Sequence, residues 1–315
     1  EVGLKILRDA GHEVDQYTEQ KPLTTDILIK LCQPYNALLS ATSTALNEEF
    51  FNACKHLKAI SLLSVGHDNV DARTATKYKI PVGNTPDVVS AATADIAFLL
   101  ILAVSRKAIF HYNRIVQDQW HFTEPTAFLG KELEKKTLGI FGLGRIGLDL
   151  ATKIKAAYHM DIIYHNRNRN PEAEKLLDAR YVSFEALLAQ SDVLSVHTNL
   201  SSETKAVFNM EAFRQMKPSA IFINTARGGI HDEADLIKAL DNGILWGAGL
   251  DVTNPEPMHK ENPLLRHPNV CVLPHIGTAT EETRGAMAQR AATNIVTALK
   301  GEKMPYCINL EIYNS

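Results

Sequence analysis

Several features that mark other protein classes are scarce or missing from this chain, and each shortage excludes something. Only four cysteines occur in 315 residues, Cys32, Cys54, Cys271 and Cys307. No two have the spacing of a metal or redox motif, so reduced thiols, no metal and a cytoplasmic setting are expected. Lys and Arg number 33 against 36 Asp and Glu, for a net charge of -3. No basic stripe is available to neutralise phosphates, which argues against a nucleic-acid partner. The longest apolar run, Ile96 to Val104, falls far short of the roughly 20 residues a bilayer-crossing helix needs, so no membrane partner is expected. No charged-then-apolar leader opens the chain, and nothing suggests export. Repeats and low-complexity tracts are lacking as well. A starting Met is missing too: Glu1 precedes Val2, Leu4, Ile6 and Leu7, whose spacing reads as a helix, so an element is expected to have been lost ahead of it.

What is present is ordinary globular composition, 45% hydrophobic and 22% charged, in a chain longer than one core usually grows; two domains are the expectation. Up to about Val82, helical and strand-like stretches alternate. Leu4 to Ala10 and Ala45 to Cys54 have helical periodicity, while Ala37 to Ser40 and Leu57 to Leu63 are apolar strand candidates. Val88 to Arg106 is nearly all Ala, Leu, Ile and Val, interrupted by Asp95. It is too long for a strand and predicts a helix buried nearly all round, with Asp95 as a capping or interdomain hydrogen-bonding group. From Lys136 onward, strand-like runs at Thr137–Phe141, Asp161–Tyr164, Val193–Val196, Ala220–Ile223, Gly247–Leu250 and Val270–Leu273 alternate with helical stretches. That alternation predicts an α/β fold with a doubly wound parallel (Rossmann) sheet. A last helix, Glu281 to Lys300, is expected to lead back to the first domain.

Gly142, Gly144 and Gly147 form a G-x-G-x-x-G turn between the strand ending at Phe141 and a helix over Leu148 to Ala156. The first glycine permits a tight turn, the second lets backbone approach a pyrophosphate, and the third allows close helix–strand packing. The helix start, with Arg145 and Ile146, faces the anion. About 20 residues on, where NAD enzymes place a carboxylate for the ribose 2′-hydroxyl, the chain has Asn166, with Arg167 and Arg169 beside it. Guanidinium groups attract a 2′-phosphate that a carboxylate would repel. NADP(H) is therefore expected to be favoured, with NAD(H) possible.

Three further segments follow predicted strands and so belong at the carboxyl edge of the sheet, where open α/β folds bind ligands. They are Ile223-Asn-Thr-Ala-Arg227-Gly-Gly, Gly249-Leu-Asp251-Val-Thr-Asn-Pro-Glu256-Pro and Leu273-Pro-His275-Ile-Gly277. In this order behind the glycine turn, they resemble the D-isomer-specific 2-hydroxyacid dehydrogenases. With Leu63-Ser-Val-Gly-His-Asp-Asn, Thr85-Pro-Asp-Val-Val and Gly301-Glu-Lys-Met-Pro, they are most like the glyoxylate/hydroxypyruvate reductases within that family.

The resemblance implies a smaller, flavodoxin-like α/β substrate domain, residues 1–84 and 278–315, lacking its first strand, and a dinucleotide-binding domain, residues 85–277, in a homodimer. It implies reduction of a small 2-keto acid to the D-2-hydroxy acid. His275 would be the general acid, Glu256 its orienting partner, and Arg227 the group that binds the carboxylate and polarises the carbonyl. Backbone amides of Val65 and Gly66 would complete the carboxylate site as the domains close. Asp251 would hold the nicotinamide carboxamide, and Thr198, Thr225, Ala226 and Gly277 would line the cofactor. His67 is a candidate for tuning the pocket; His12, His111 and His197 read as structural. Rival readings are a 2-ketogluconate reductase, a phosphoglycerate or D-lactate dehydrogenase, and, from a different class, a dinucleotide-sensing scaffold like the C-terminal binding protein corepressors. The compact ending at Ser315 is expected of an enzyme rather than of such a scaffold.

Overall fold

The computed structural model describes every residue except Gln20, Pro22 and Ser315. The strands are β1 (Ala37–Ser40), β2 (Ala59–Leu62), β3 (Val82–Gly83), β4 (Thr137–Phe141), β5 (Asp161–His165), β6 (Arg180–Tyr181), β7 (Val193–Val196), β8 (Ile221–Asn224), β9 (Gly247–Leu250) and β10 (Val270–Val272). The helices are α1 (Val2–Asp9), α2 (Thr25–Cys32), α3 (Glu48–Ala53), α4 (Ala72–Lys77), α5 (Ser90–Ser105), α6 (Ala108–Val116), α7 (Arg145–Tyr158), α8 (Pro171–Leu177), α9 (Phe184–Gln190), α10 (Met210–Gln215), α11 (Glu233–Asp241) and α12 (Glu281–Leu299). The chain divides into two compact units, Glu1–Val89 with Ala279–Ser315, and Ser90–Thr278.

In the first unit a parallel sheet, β1-β2-β3, is covered on both faces. One face packs on Leu46, Phe50, Phe51 and Leu57, the other on Leu7, Ala292, Ile295 and Met304 from α1, α12 and the tail. α1 lies so close to α12 that a methyl group on Gly3 would stand 2.9 Å from the Ala288 carbonyl oxygen. The expected helix over Ala45–Cys54 is shorter because Asn47 starts it: its side chain accepts from the Phe50 amide at 3.1 Å, as an N-cap does.

In the second unit seven parallel strands run in the order β10-β9-β8-β7-β4-β5-β6. Side chains alternate between two cores. Leu138, Ile140, Ile162, Tyr164, Ile221 and Ile223 face α5 and α7, while Ile163, Leu194, Val196, Phe222, Ala248 and Leu250 face α9, α10 and α11. Burial on both faces is why these strands read as unbroken apolar runs. Gly247 and Gly249 let α5 approach: a methyl group on Gly249 would meet Leu100 Cβ at 2.9 Å. α5 departs from expectation, since Ala91, Asp95 and Leu99 form an exposed stripe one turn apart. Asp95 pairs with Lys153 of α7, in the same unit, at 2.5 Å. β4 bonds β5 on one side and β7 on the other. The chain order reverses there, and a crevice opens at the carboxyl ends of β4 and β7.

Candidate active site

The G-x-G-x-x-G turn occupies that reversal point. Gly142 has φ +101°, in the left-handed region, and a methyl group on it would stand 2.8 Å from the His197 carbonyl oxygen. Gly147 fits a glycine for a different reason, since its added carbon would meet the Gly142 oxygen at 2.8 Å. Gly144 has nothing within 4 Å of where a Cβ would be, so the space before α7 is open. Its caps point the same way. α8, α9, α10, α11 and α12 each begin at an Asn, Ser, Asp or Thr whose side chain accepts from the first turn, whereas α7 begins at Gly144 with no side-chain cap. A 14-residue helix that starts uncapped at an open crevice offers its first amides and positive dipole end to an anion, the fit a dinucleotide pyrophosphate requires. Arg145 and Ile146 carry amides of that first turn.

The basic end of β5 is more committed than its sequence suggests. The Leu143 amide donates to Asn166 Oδ1 at 2.6 Å, so Asn166 pins the glycine turn. Arg169 forks onto Glu174, at 3.0 Å from Nε and 2.6 Å from Nη2, and Tyr164 Oη donates to the same carboxylate. Arg167 is exposed.

Across the crevice, His197 lies at the end of β7 with Ser195 Oγ 2.8 Å from Nε2 and Thr225 Oγ1 3.4 Å from Nδ1. Burial of the imidazole pushes its pKa down to about 3, so it is neutral and holds the crevice floor. The Thr198 amide faces the glycine turn, 2.9 Å from where a Gly142 methyl would lie. Thr225 is 8% exposed at the end of β8, and Ala226 beside it is half-buried.

Arg227, Glu256 and His275, on the loops after β8, β9 and β10, converge. His275 Nδ1 lies 2.5 Å from Glu256 Oε1. Glu256's hydrogen bond holds the imidazole above its ordinary pKa against desolvation; the Glu256 and Asp251 charges add to this, and nearby Arg227 opposes it. The ring keeps 47% of its side-chain exposure and so is open to a reactant. Arg227 is half-buried, its Nη1 donating to the Ala226 carbonyl at 2.7 Å. Gly228 presses the loop onto the chain leading to Glu256: any Cβ there would fall 1.9 Å from the Thr253 carbonyl oxygen.

Asp251, expected to hold the nicotinamide carboxamide, directly follows β9. It is 1% exposed, and its two oxygens accept from the amides of Ile276 (2.8 Å) and Gly277 (2.7 Å). Burial raises its pKa and those two amides pull it back. The carboxylate thus anchors the turn that presents His275, which itself adopts φ +54°. Gly277 is buried in the same anchor, with a Cβ there 3.0 Å from Asp251 Oδ2.

In the first unit, Val65 and Gly66 sit on the loop after β2. The carbonyls of Ser64, Val65 and Gly66 accept from Thr85 N (2.9 Å), Asn84 Nδ2 (2.8 Å) and Ser64 Oγ (2.7 Å). A trans peptide points its N–H opposite to its C=O, so the amides of Val65 and Gly66 face away from Thr85 and Asn84. His67 is exposed. Sequence reasoning missed Asn224 and His231, both buried behind Arg227, because nothing in the residue pattern signals their pairing. Among the described residues, no helix is long and apolar enough to cross a membrane, and no group of His, Cys, Asp or Glu could hold a metal ion.

Residues 98–277 match the family model described as D-isomer specific 2-hydroxyacid dehydrogenase, NAD binding domain. The chain is 40% identical to a glyoxylate reductase of Thermococcus litoralis over 319 aligned residues, covering 100% of this chain and 96% of that protein. Among solved structures it is similar to a protein of Thermus thermophilus, with TM-score 0.90 and 37% identity over 97% of this chain and 96% of that one. It is also similar to an NADPH-dependent glyoxylate/hydroxypyruvate reductase of Sinorhizobium meliloti solved with NADP and malonate. That match has TM-score 0.77 and 32% identity over 86% of this chain and 82% of that one.

Proposed function

The chain belongs to the D-isomer-specific 2-hydroxyacid dehydrogenases, and on that premise we propose that it reduces glyoxylate or hydroxypyruvate to the 2-hydroxy acid, with His275 as general acid. The observation that carries this reading is the His275–Glu256 pair, 2.5 Å apart and half-exposed, beside Arg227. A reduced nicotinamide, when bound, would supply a hydride for C2. His275, charged because Glu256 favours its protonated form, donates from Nε2 to the keto oxygen, while Nδ1 stays on Glu256 and fixes the ring. Arg227 binds the substrate carboxylate with a planar fork and stabilises the charge growing on the oxygen. Asp251 holds the turn that presents His275. The Gly142–Gly147 turn with the α7 amides would hold the pyrophosphate, and Thr198, Thr225 and Ala226 would line the dinucleotide. Following reduced-nicotinamide absorbance with glyoxylate and hydroxypyruvate tests the reaction; no turnover with either refutes it.

NADP(H) is the preferred coenzyme in this reading, with NAD(H) usable. Asn166 rather than an acidic residue directly follows β5, and the exposed Arg167 supplies positive charge there for a 2′-phosphate. Arg169 contributes less, being tied to Glu174. A higher kcat/KM with NADH than with NADPH overturns the preference. A homodimer belongs to the same reading. α6 has no buried residue, and Tyr112, Val116, Trp120, Phe122 and Leu129 are 64–69% exposed, an apolar surface that a second copy would cover. A monomeric mass by light scattering removes it. The free thiols support a cytoplasmic setting.

A further inference from the structure

Behind Arg227 the hydrogen bonds run from its loop through Asn224 to His231. Asn224, fully buried at the end of β8, uses its side chain to bracket the loop. Its Oδ1 accepts from the Ala226 amide at 2.9 Å, and its Nδ2 donates to the Arg227 carbonyl at 2.9 Å. Those two backbone contacts fix which end of the amide is oxygen, because only oxygen can accept from an N–H and only nitrogen can donate to a carbonyl. The second proton on Nδ2 then points at His231 Nδ1, 3.0 Å away. His231 Nδ1 must therefore be an unprotonated acceptor, and the ring hydrogen must sit on Nε2. That nitrogen is buried and has no hydrogen-bond partner among the described residues. An aliphatic side chain would avoid leaving this N–H unmet, so what the imidazole contributes at a 1% exposed position is its Nδ1 acceptor.

We propose that His231 is a positioning residue for the site arginine: its Nδ1 holds the Asn224 amide, which in turn fixes the Thr225–Ala226 and Arg227–Gly228 peptide groups and so aims the guanidinium at the substrate carboxylate. Three neighbouring contacts hold the surroundings of these hydrogen bonds in place. Gly228 is pressed on the Thr253 carbonyl, Phe222 packs edge-on to the imidazole with ring centroids 5.8 Å apart, and the Asp232 amide is tied to the Phe208 carbonyl at 2.9 Å. Burial pushes the His231 pKa down to about 4, in keeping with a ring held neutral. Without the acceptor, a fully buried amide proton is left unmet, and the Asn224 side chain turns to find another partner, releasing the Arg227 carbonyl.

The inference rests on the proposed reaction, and the experiment separates the two. Wild-type turnover of glyoxylate with NADPH tests the reaction itself. The device is tested by comparing His231→Leu, which removes the acceptor, with His231→Asn, whose Oδ1 stands where Nδ1 was. The expected result is a KM for glyoxylate raised about tenfold in His231→Leu, with NADPH affinity by fluorescence titration within about twofold of wild type and KM largely restored in His231→Asn. Nitrogen-15 spectra of labelled histidine, assigned by the peak lost in the variants, should show His231 as the Nε2–H tautomer at neutral pH. The proposal is overturned if the Leu variant keeps the wild-type KM, if NADPH affinity falls in step with it, if the Asn variant behaves like Leu, or if Nδ1 carries the proton. Should the Leu variant not fold, the Asn variant and the tautomer measurement still decide.

Discussion

Replacing Glu256 by Gln removes a charge and keeps an acceptor of the same shape, so it isolates what the carboxylate does for His275. The pair is 2.5 Å apart, and the side chains are 47% and 40% exposed. A hydrogen bond to a charged group is worth about 1.5–3 kcal/mol. Solvent screens this pair at that exposure, which places its net worth near or below the lower end, about 1–1.5 kcal/mol. Glu256 is the leading cause of the upward shift in the His275 pKa. The sign follows from the direction of reaction. Reduction needs the proton on His275, so kcat/KM is full at low pH and falls as pH rises through the raised pKa. Glu256→Gln should move that falling limb to lower pH and cut kcat/KM at neutral pH by about tenfold, the equivalent of about 1.4 kcal/mol. On the acid side of the limb the loss should shrink. Steady-state kinetics with glyoxylate across pH measures both. A uniform loss at every pH, with the limb unmoved, would mean that Glu256 orients the ring without tuning its proton, and the electrostatic argument fails.

His275→Ala should lower kcat by about 10² to 10⁴, the range for positioned proton transfer; near-normal turnover removes His275 from the role. Gly142→Ala should destabilise the fold by at least about 1–3 kcal/mol from its φ of +101° alone, before the clash with the His197 carbonyl is counted. Gly144→Ala, with open space around it, should keep the wild-type melting temperature and weaken NADPH binding because the methyl group enters the crevice. A lower Tm for Gly144→Ala, or unchanged NADPH affinity, contradicts that pairing. His231 titrates at about 4 in the folded chain, below the ordinary histidine value of 6.5. Its burial therefore carries no proton-linked cost above about pH 6.5. As pH falls below that the unfolded chain takes up the proton and stability drops by up to about 1.4 kcal/mol per pH unit, until the folded pKa is reached. Urea titrations of wild type and His231→Asn between those limits should differ in slope by that amount, and equal slopes would refute it.

The helices and strands of this chain were largely legible because the signals that define them are local. Thr137–Phe141, Val193–Val196 and Gly247–Leu250 read as strands from continuous apolarity, which a parallel sheet covered on both faces requires. The strand–glycine–helix context of Gly142, Gly144 and Gly147 marked the crevice for the same local reason. Less legible were elements with weak or unusual patterns. β6 is two residues long at a sheet edge, and α6 exposes its apolar face instead of burying it.

Chain order and residue type by themselves determined the architecture and the three loops that bring Arg227, Glu256 and His275 to one edge of the sheet. Only the tertiary structure decided which polar groups are left to meet a ligand. Arg169 is taken by Glu174, Asn166 by the glycine turn, Asp251 by the amides of Ile276 and Gly277, and Asn224 by His231 and the Arg227 loop. The reason is that a buried donor or acceptor must find a partner among whatever atoms packing brings within about 3 Å. Asp251 and Gly277 lie 26 positions apart in the chain, a separation across which residue spacing carries no information about distance.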